Sequence, residues 1–135
     1  MKYAYPALIR PEKVGSKTVN SVLFPDICRG GTSGNDLPEA LEMAADWLAG
    51  TLCDMEKSKE EIPKPSNPSD IETEPGDIVT LVFADTIAYR KKMSPKSMNK
   101  MLTIPIWLNT IAEDNDVNFS QTLQRALKAE LGLTS

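Results

Sequence analysis

The chain has 135 residues, 41% of them apolar and 25% charged, with a net charge of −4 and no histidine, so there is room for one medium domain or two small ones with ordinary cores. The acidic balance argues against a protein that coats nucleic acid indiscriminately, so any DNA binding must rest on a local positive patch, and the missing histidine removes the usual general base of hydrolases and metal-independent ribonucleases. No stretch approaches the ~18 apolar residues of a membrane span and no charged-then-apolar leader opens the chain, which makes the cytoplasm the expected compartment.

The segment Lys2 to Ile9 alternates loosely and reads as a strand, with Pro6 pointing to an edge position. A turn is expected around Pro11 to Lys17, marked by Gly15, and the β-branched run Thr18 to Phe24 pairs back as a hairpin. Pro25 and Asp26 end it, and Ile27 to Ser33 reads as a short third strand closed by Gly34. Asn35 and Asp36 are N-cap candidates, with Pro38 in the first turn and Glu39 close behind. The spacing of Leu37, Leu41, Ala44, Ala45, Leu48 and Leu52 predicts a helix from about Leu37 to Met55 with that apolar face. Asp36, Glu39 and Glu42 suit the positive end of its dipole.

From Lys57 to Gly76 the periodicity gives way to Pro63, Pro65, Pro68 and Pro75, with three bases against five acids. This is expected to be a weakly ordered surface loop or linker. Asp77 to Ala84 is a strand apolar enough to lie inside a sheet. Strand, strand, strand, helix, long loop, strand is an α+β layer, one sheet with one helix on it.

After Asp85 the character changes. Arg90, Lys91, Lys92, Lys96 and Lys100 fall in a stretch without an acid, and phosphate neutralisation needs such local positive charge. Then come a strand over Met98 to Ile104, Pro105, a helix from about Ile106 to Asn115 and a helix from Phe119 to Leu131 stopped by Gly132. The two cysteines, Cys28 and Cys53, lack CxxC spacing. They read as small buried hydrophobes rather than a disulfide or a metal pair, and no metal or cofactor is expected.

The block from about Lys100 to Leu131 resembles the ribbon-helix-helix family. It has a short strand, Met101-Leu102-Thr103-Ile104, cut off by Pro105 where a helix begins. Alternation sets Leu102 and Ile104 on one side and Asn99, Met101 and Thr103 on the other. In that family the strand pairs with its copy from a second chain, and the ribbon enters the major groove. The resemblance therefore implies Asn99, Met101 and Thr103 facing base edges, beside Lys100. Asn reads adenine through a paired donor and acceptor, and Thr offers a hydroxyl or a methyl contact. Asn118 and Ser120 open the second helix, whose free amides suit a DNA phosphate. Leu108, Ile111, Ala112, Phe119, Leu123, Ala126 and Leu127 supply apolar faces for a shared dimer core, because so short a block buries too little alone.

The front half, Tyr3 to about Lys92, resembles the HicB antitoxin domain. The likeness is carried by Tyr5-Pro6-Ala7-Leu8, Phe24-Pro25-Asp26-Ile27, Thr32-Ser33-Gly34-Asn35-Asp36, Glu39-Ala40-Leu41 and Ala45-Asp46-Trp47-Leu48. It implies a partial ribonuclease H-like sheet that blocks a small HicA-type ribonuclease toxin, with the ribbon-helix-helix behind it repressing the operon. No enzyme is expected, since Asp26, Asp36, Asp77 and Asp85 fall at strand ends and turns, where capping is the commoner job than two-metal cleavage. Toxin contact is expected along Asp26 to Asp36, through Asp26, Arg29, Thr32, Ser33 and Asp36, while Trp47 is expected in the core. The resulting expectation is a toxin-binding domain over 1–92, a DNA-binding and dimerisation domain over 95–135, and a dimer or dimer of dimers. The alternative is a ligand-sensing repressor with the same DNA-binding end and no toxin partner.

Overall fold

The computed structural model describes residues 1–133; Thr134 and Ser135, which close the expected C-terminal domain, lie outside the described residues. The chain divides into two compact units, Met1–Lys96 and a second that begins at Ser97. It is a mixed α+β protein with a four-stranded antiparallel sheet and four α-helices among the described residues.

The first unit is built on a long hairpin. Strand β1 runs Lys2–Val14 and β2 Lys17–Leu23, in register from Leu8 opposite Leu23 to Val14 opposite Lys17. The turn is only Gly15 and Ser16, shorter than expected, with Gly15 at φ +65°, where glycine carries no Cβ penalty. Strand β3 is confined to Gly31–Gly34, and β4, Ile78–Asp85, pairs with the other side of β1. The sheet order is β3-β2-β1-β4.

Two expectations about this sheet are reversed. Pro6 lies on the central strand β1, not on an edge strand. The ladder to β2 begins only at Leu8, so at Pro6 the strand has a partner on the β4 side alone and a missing N–H is tolerated. β4, read as an interior strand, is an edge strand, with Leu81 58% and Phe83 59% exposed.

Helix α1, Leu37–Lys57, packs on one face of the sheet. Asp36 caps it, its carboxylate accepting from the Glu39 amide at 2.9 Å, with Pro38 in the first turn. The buried face is Ala40, Ala44, Leu48, Ala49, Leu52, Cys53 and Met55, rotated from the predicted one, so that Leu37 and Leu41 are exposed. The reason is close approach. A Cβ at Gly34 would lie 2.3 Å from the Ala40 amide nitrogen, so β3 passes directly beneath the helix start and position 34 has room for glycine alone. Tyr5, Ala7, Ile9, Val22, Phe24, Val82 and Ala84 complete the core from the sheet. Trp47 packs against this core and stacks on Phe24, ring centroids 5.3 Å apart and nearly parallel. Cys53 is buried as expected, but Cys28 is exposed in the turn after β2.

A short helix, α2 over Thr86–Met93, carries the first basic residues after Asp85, a stretch with no predicted element. Asp85 caps it by accepting from the Ile87 and Ala88 amides. The second unit holds α3, Ile106–Asp114, and α4, Phe119–Glu130. Asn118 caps α4, accepting from the Gln121 amide at 3.0 Å, and Gly132 follows it at φ +69°. The segment 98–104, expected as a strand, has no strand hydrogen bonds in the single chain, since a strand forms only against a partner.

The rotated helix face makes a direct prediction. Leu48→Ala, at a fully buried position, should cost about 2–5 kcal/mol of stability. Leu41→Ala, at 42% exposure, should cost less than about 1 kcal/mol by the same urea titration. Equal losses at the two positions would contradict the packing described.

Candidate functional site

The second unit presents its apolar residues to solvent. No described residue of α3 or α4 is buried, and Leu108, Ile111, Phe119 and Leu127 are all exposed, as are Met101, Leu102 and Ile104 ahead of them. Leu123 and Ala112 are half-buried. Asn99, Lys100, Met101 and Thr103 lie on the exposed, irregular segment before α3. Ser120 is in the first turn of α4, next to the capping Asn118, whose side-chain oxygen is engaged by its own helix. The amides of that turn are the groups left to an anion.

The basic run is less free than its sequence suggests. Arg90, on α2, donates to Glu56 at 3.3 Å, and the Lys92 ammonium lies 3.9 Å from Asp46, both acids on α1. Lys96 and Lys100 lie beyond α2 in the segment leading to α3. The carboxylate of Glu56 is the hub of this corner. It accepts from the Tyr3 hydroxyl at 2.8 Å and from Thr86 Oγ1 at 3.0 Å, besides Arg90. Burial pushes the Glu56 carboxyl up, but the hydrogen bonds from Tyr3 and Thr86, with the N-terminal ammonium and Arg90, hold it below the ordinary value. Its neighbour Tyr3 is pushed up to about 12, by burial and by that bond to an anion.

The loop after α1 is fastened to the domain rather than loosely tethered. Tyr5 donates its hydroxyl to the Pro63 carbonyl, Arg29 pairs with Glu60, and Asp26 accepts from the Ser66 amide and hydroxyl. At the far end Arg10 grips Asp77 with two bonds of 2.9 Å, while Asp77 also accepts from the Glu74 amide. Of the five residues expected to meet a toxin, Asp26 and Arg29 therefore hold this loop and Asp36 caps α1. Thr32 and Ser33 stand on β3, Ser33 exposed. The four aspartates weighed as a nuclease set, Asp26, Asp36, Asp77 and Asp85, each carry a local structural bond.

A feature that sequence reading missed lies at the other side of the sheet. An open groove of about 490 Å³ runs between α1, β4 and α2. Ala45, Ala49, Ala84 and Ala88 line it, with Phe83 and Tyr89, and the charged residues are Glu42, Asp46, Asp85 and Lys92. Asp85-Thr86, a capping residue at the end of a strand, was the available signal for α2 and hence for this groove.

No family model matches the sequence, and no curated protein does. Among solved structures, a chain of the toxin–antitoxin complex from Streptococcus pneumoniae is 29% identical, with 96% of this chain and 99% of that one covered and a TM-score of 0.62. The Burkholderia pseudomallei antitoxin HicB is 18% identical over 93% of this chain and 96% of its own, with a TM-score of 0.52, so the fold is shared. A chain of a HicA3 and HicB3 toxin–antitoxin complex aligns in full with 62% of this chain, at 22% identity and a TM-score of 0.48. No described helix is long and apolar enough to cross a membrane.

The Arg10–Asp77 clamp sets an acid limb. Its bonds from Arg10, then from the Glu74 amide, push the Asp77 carboxyl down to about 2 from 3.8. A carboxyl depressed in the folded state stabilises above its unfolded value and loses that contribution as pH falls toward its folded one. The stability gap between the native chain and Asp77→Asn should thus be full at neutral pH and close between about pH 4 and pH 2. Denaturation midpoints across that range check it; a gap unchanged at pH 2 would refute the clamp.

Proposed function

We propose that the chain is an antitoxin of the HicB type, whose first unit binds and sterically neutralises a small HicA-type ribonuclease and whose second unit binds operator DNA as a dimer. The observation that carries the first part is the match over 96% of the chain, at 29% identity, to a chain of a toxin–antitoxin complex. The fold shared with an antitoxin HicB supports it.

The second part rests on the unit beginning at Ser97. It joins a segment lacking a ladder to two helices, the second capped by Asn118, whose apolar faces are uncovered. Units below roughly 40 residues seldom bury enough surface to stand alone. A second copy supplies what is missing: a strand partner for 98–104 and a cover for Leu108, Ile111, Phe119, Leu123 and Leu127. The paired ribbon then turns Asn99, Met101 and Thr103 toward base edges, with Lys96 and Lys100 beside the phosphates. A ligand-sensing repressor would need a pocket with converging polar groups; the groove between α1, β4 and α2 is open and floored by alanines.

Two experiments test this reading. Expressed alone, the product of the small gene adjacent to this one should arrest growth, and co-expression of this chain should restore it; a harmless neighbour, or arrest that this chain does not relieve, refutes the antitoxin role. The full chain should also shift DNA from upstream of its own gene. At fixed salt, Asn99→Ala with Thr103→Ala should weaken that binding by about 10- to 100-fold. Unchanged affinity in the double variant would eliminate the ribbon as the reading element.

A further inference from the structure

Strand β4 forms one edge of the sheet over eight residues, and among the described residues its outer rim makes no backbone hydrogen bond. From 78 to 84 it reads Ile-Val-Thr-Leu-Val-Phe-Ala, without a charge or a proline. Folded proteins blunt such edges with lysine, proline or a bulge, or else cover them, because an open ladder recruits another strand. Here none of the blunting devices is present, and the single helical turn Pro68–Asp70 lies near β4 without a backbone bond to it. The opposite edge, β3, is only four residues long and begins and ends in glycine.

The side chains around β4 suit occupation. Pro6 stands opposite Leu81 and Ala4 opposite Phe83, so the face turned away from α1 is an apolar strip. Leu81 and Phe83 project from it into solvent. The groove between α1, β4 and α2 adjoins the end of this strand and shares Phe83 with it. Its lining holds three carboxylates against the single ammonium of Lys92; Asp46 pairs with that lysine and Asp85 caps α2, which leaves the groove net negative with Glu42 at its rim. Such a surface offers main-chain hydrogen bonds, an apolar floor and a negative field together.

We infer that the β4 edge and the adjoining acidic groove form the docking surface for a basic protein partner, which adds a strand along β4 and lays a cationic side chain over the alanine floor. This rests on the antitoxin reading, in which the partner is an RNA-binding toxin. Charge selects that partner over a second copy of this chain. Antiparallel self-pairing of β4 about Leu81 would set Asp77 of one chain opposite Asp85 of the other, and would bring two acidic grooves to one interface.

The test uses the full chain and the purified product of the adjacent small gene, with affinity read by calorimetry. Leu81→Lys with Phe83→Lys places like charge on the edge at two exposed positions. Glu42→Lys with Asp46→Lys reverses the groove, and serves if the first pair unfolds by circular dichroism. Each pair should weaken the complex roughly 100-fold or more while operator binding is retained. Thr32→Lys with Ser33→Lys on β3 should leave affinity within about twofold. Native affinity in both β4-side pairs, or a loss confined to the β3 pair, overturns the placement, as does a lowered oligomer mass with partner binding intact. If the native chain itself fails to bind the neighbour's product, the antitoxin reading falls; tight native binding that ignores the β4-side pairs sinks only the docking surface.

Discussion

The first unit is tied together at Glu56. Near the end of α1, this one carboxylate accepts hydrogen bonds from Tyr3 on β1 and from Thr86 and Arg90 on α2. Thr86 in turn receives the N-terminal ammonium at 2.9 Å, and its amide donates to the Met1 carbonyl. A half-buried anion is costly unless its lone pairs are filled, and here they are filled from two elements distant in sequence. Losing Glu56 would take the carboxylate partner from Arg90 and leave the buried Thr86 hydroxyl with Met1 alone. The same junction fixes where α2 leaves the sheet, and therefore the wall opposite α1 in the groove beside β4.

How much of this was legible in the sequence follows from how local each signal is. Caps and stops were readable because their chemistry is completed within a few residues: Asp36, Asn118 and Gly132 act where the sequence places them. The order of strands and helix was legible for the same reason, through periodicity and turn residues. What needed tertiary information was misplaced. The face of α1 turned because β3 crosses under Ala40, a contact that Leu37 and Leu41 carry no trace of. Pro6 suggested an edge, and the inference was sound locally but not for the strand as a whole, since β2 stops pairing short of it. The composition of β4 matched a buried strand, yet hydrophobicity alone does not say whether the cover is another strand of the same chain or another molecule.

The loop over 57–76 shows the opposite error. Its prolines and charges are those of a linker, but three of its anchors, with the Arg10–Asp77 clamp just beyond it, are side-chain bonds to residues 31 to 67 positions away, which no window along the sequence can detect. Anchoring it commits Asp26 and Arg29, so the polar residues that made the segment 26–36 attractive as a contact surface are explained by the fold itself. The basic run after Asp85 is reinterpreted in the same way. Two of its cations neutralise acids on α1, which leaves Lys96 and Lys100, beyond α2, as the charges nearest the segment read as a ribbon.

Both units thus carry backbone that their own chain does not pair: the rim of β4 in the first, the segment 98–104 in the second. The two differ in what surrounds them, and on the proposed reading that difference decides the partner each selects. Around 98–104 lie uncovered leucines, isoleucines and a phenylalanine and only two nearby cations, a composition that an identical copy satisfies through apolar burial. Around β4 lie carboxylates, which a copy would repel and a basic protein would satisfy. One chain can therefore hold a like partner and an unlike one without competition, because apolar symmetry governs one open edge and charge the other. Salt separates the two: raising ionic strength screens the second association and leaves the first, driven by buried apolar surface, largely intact.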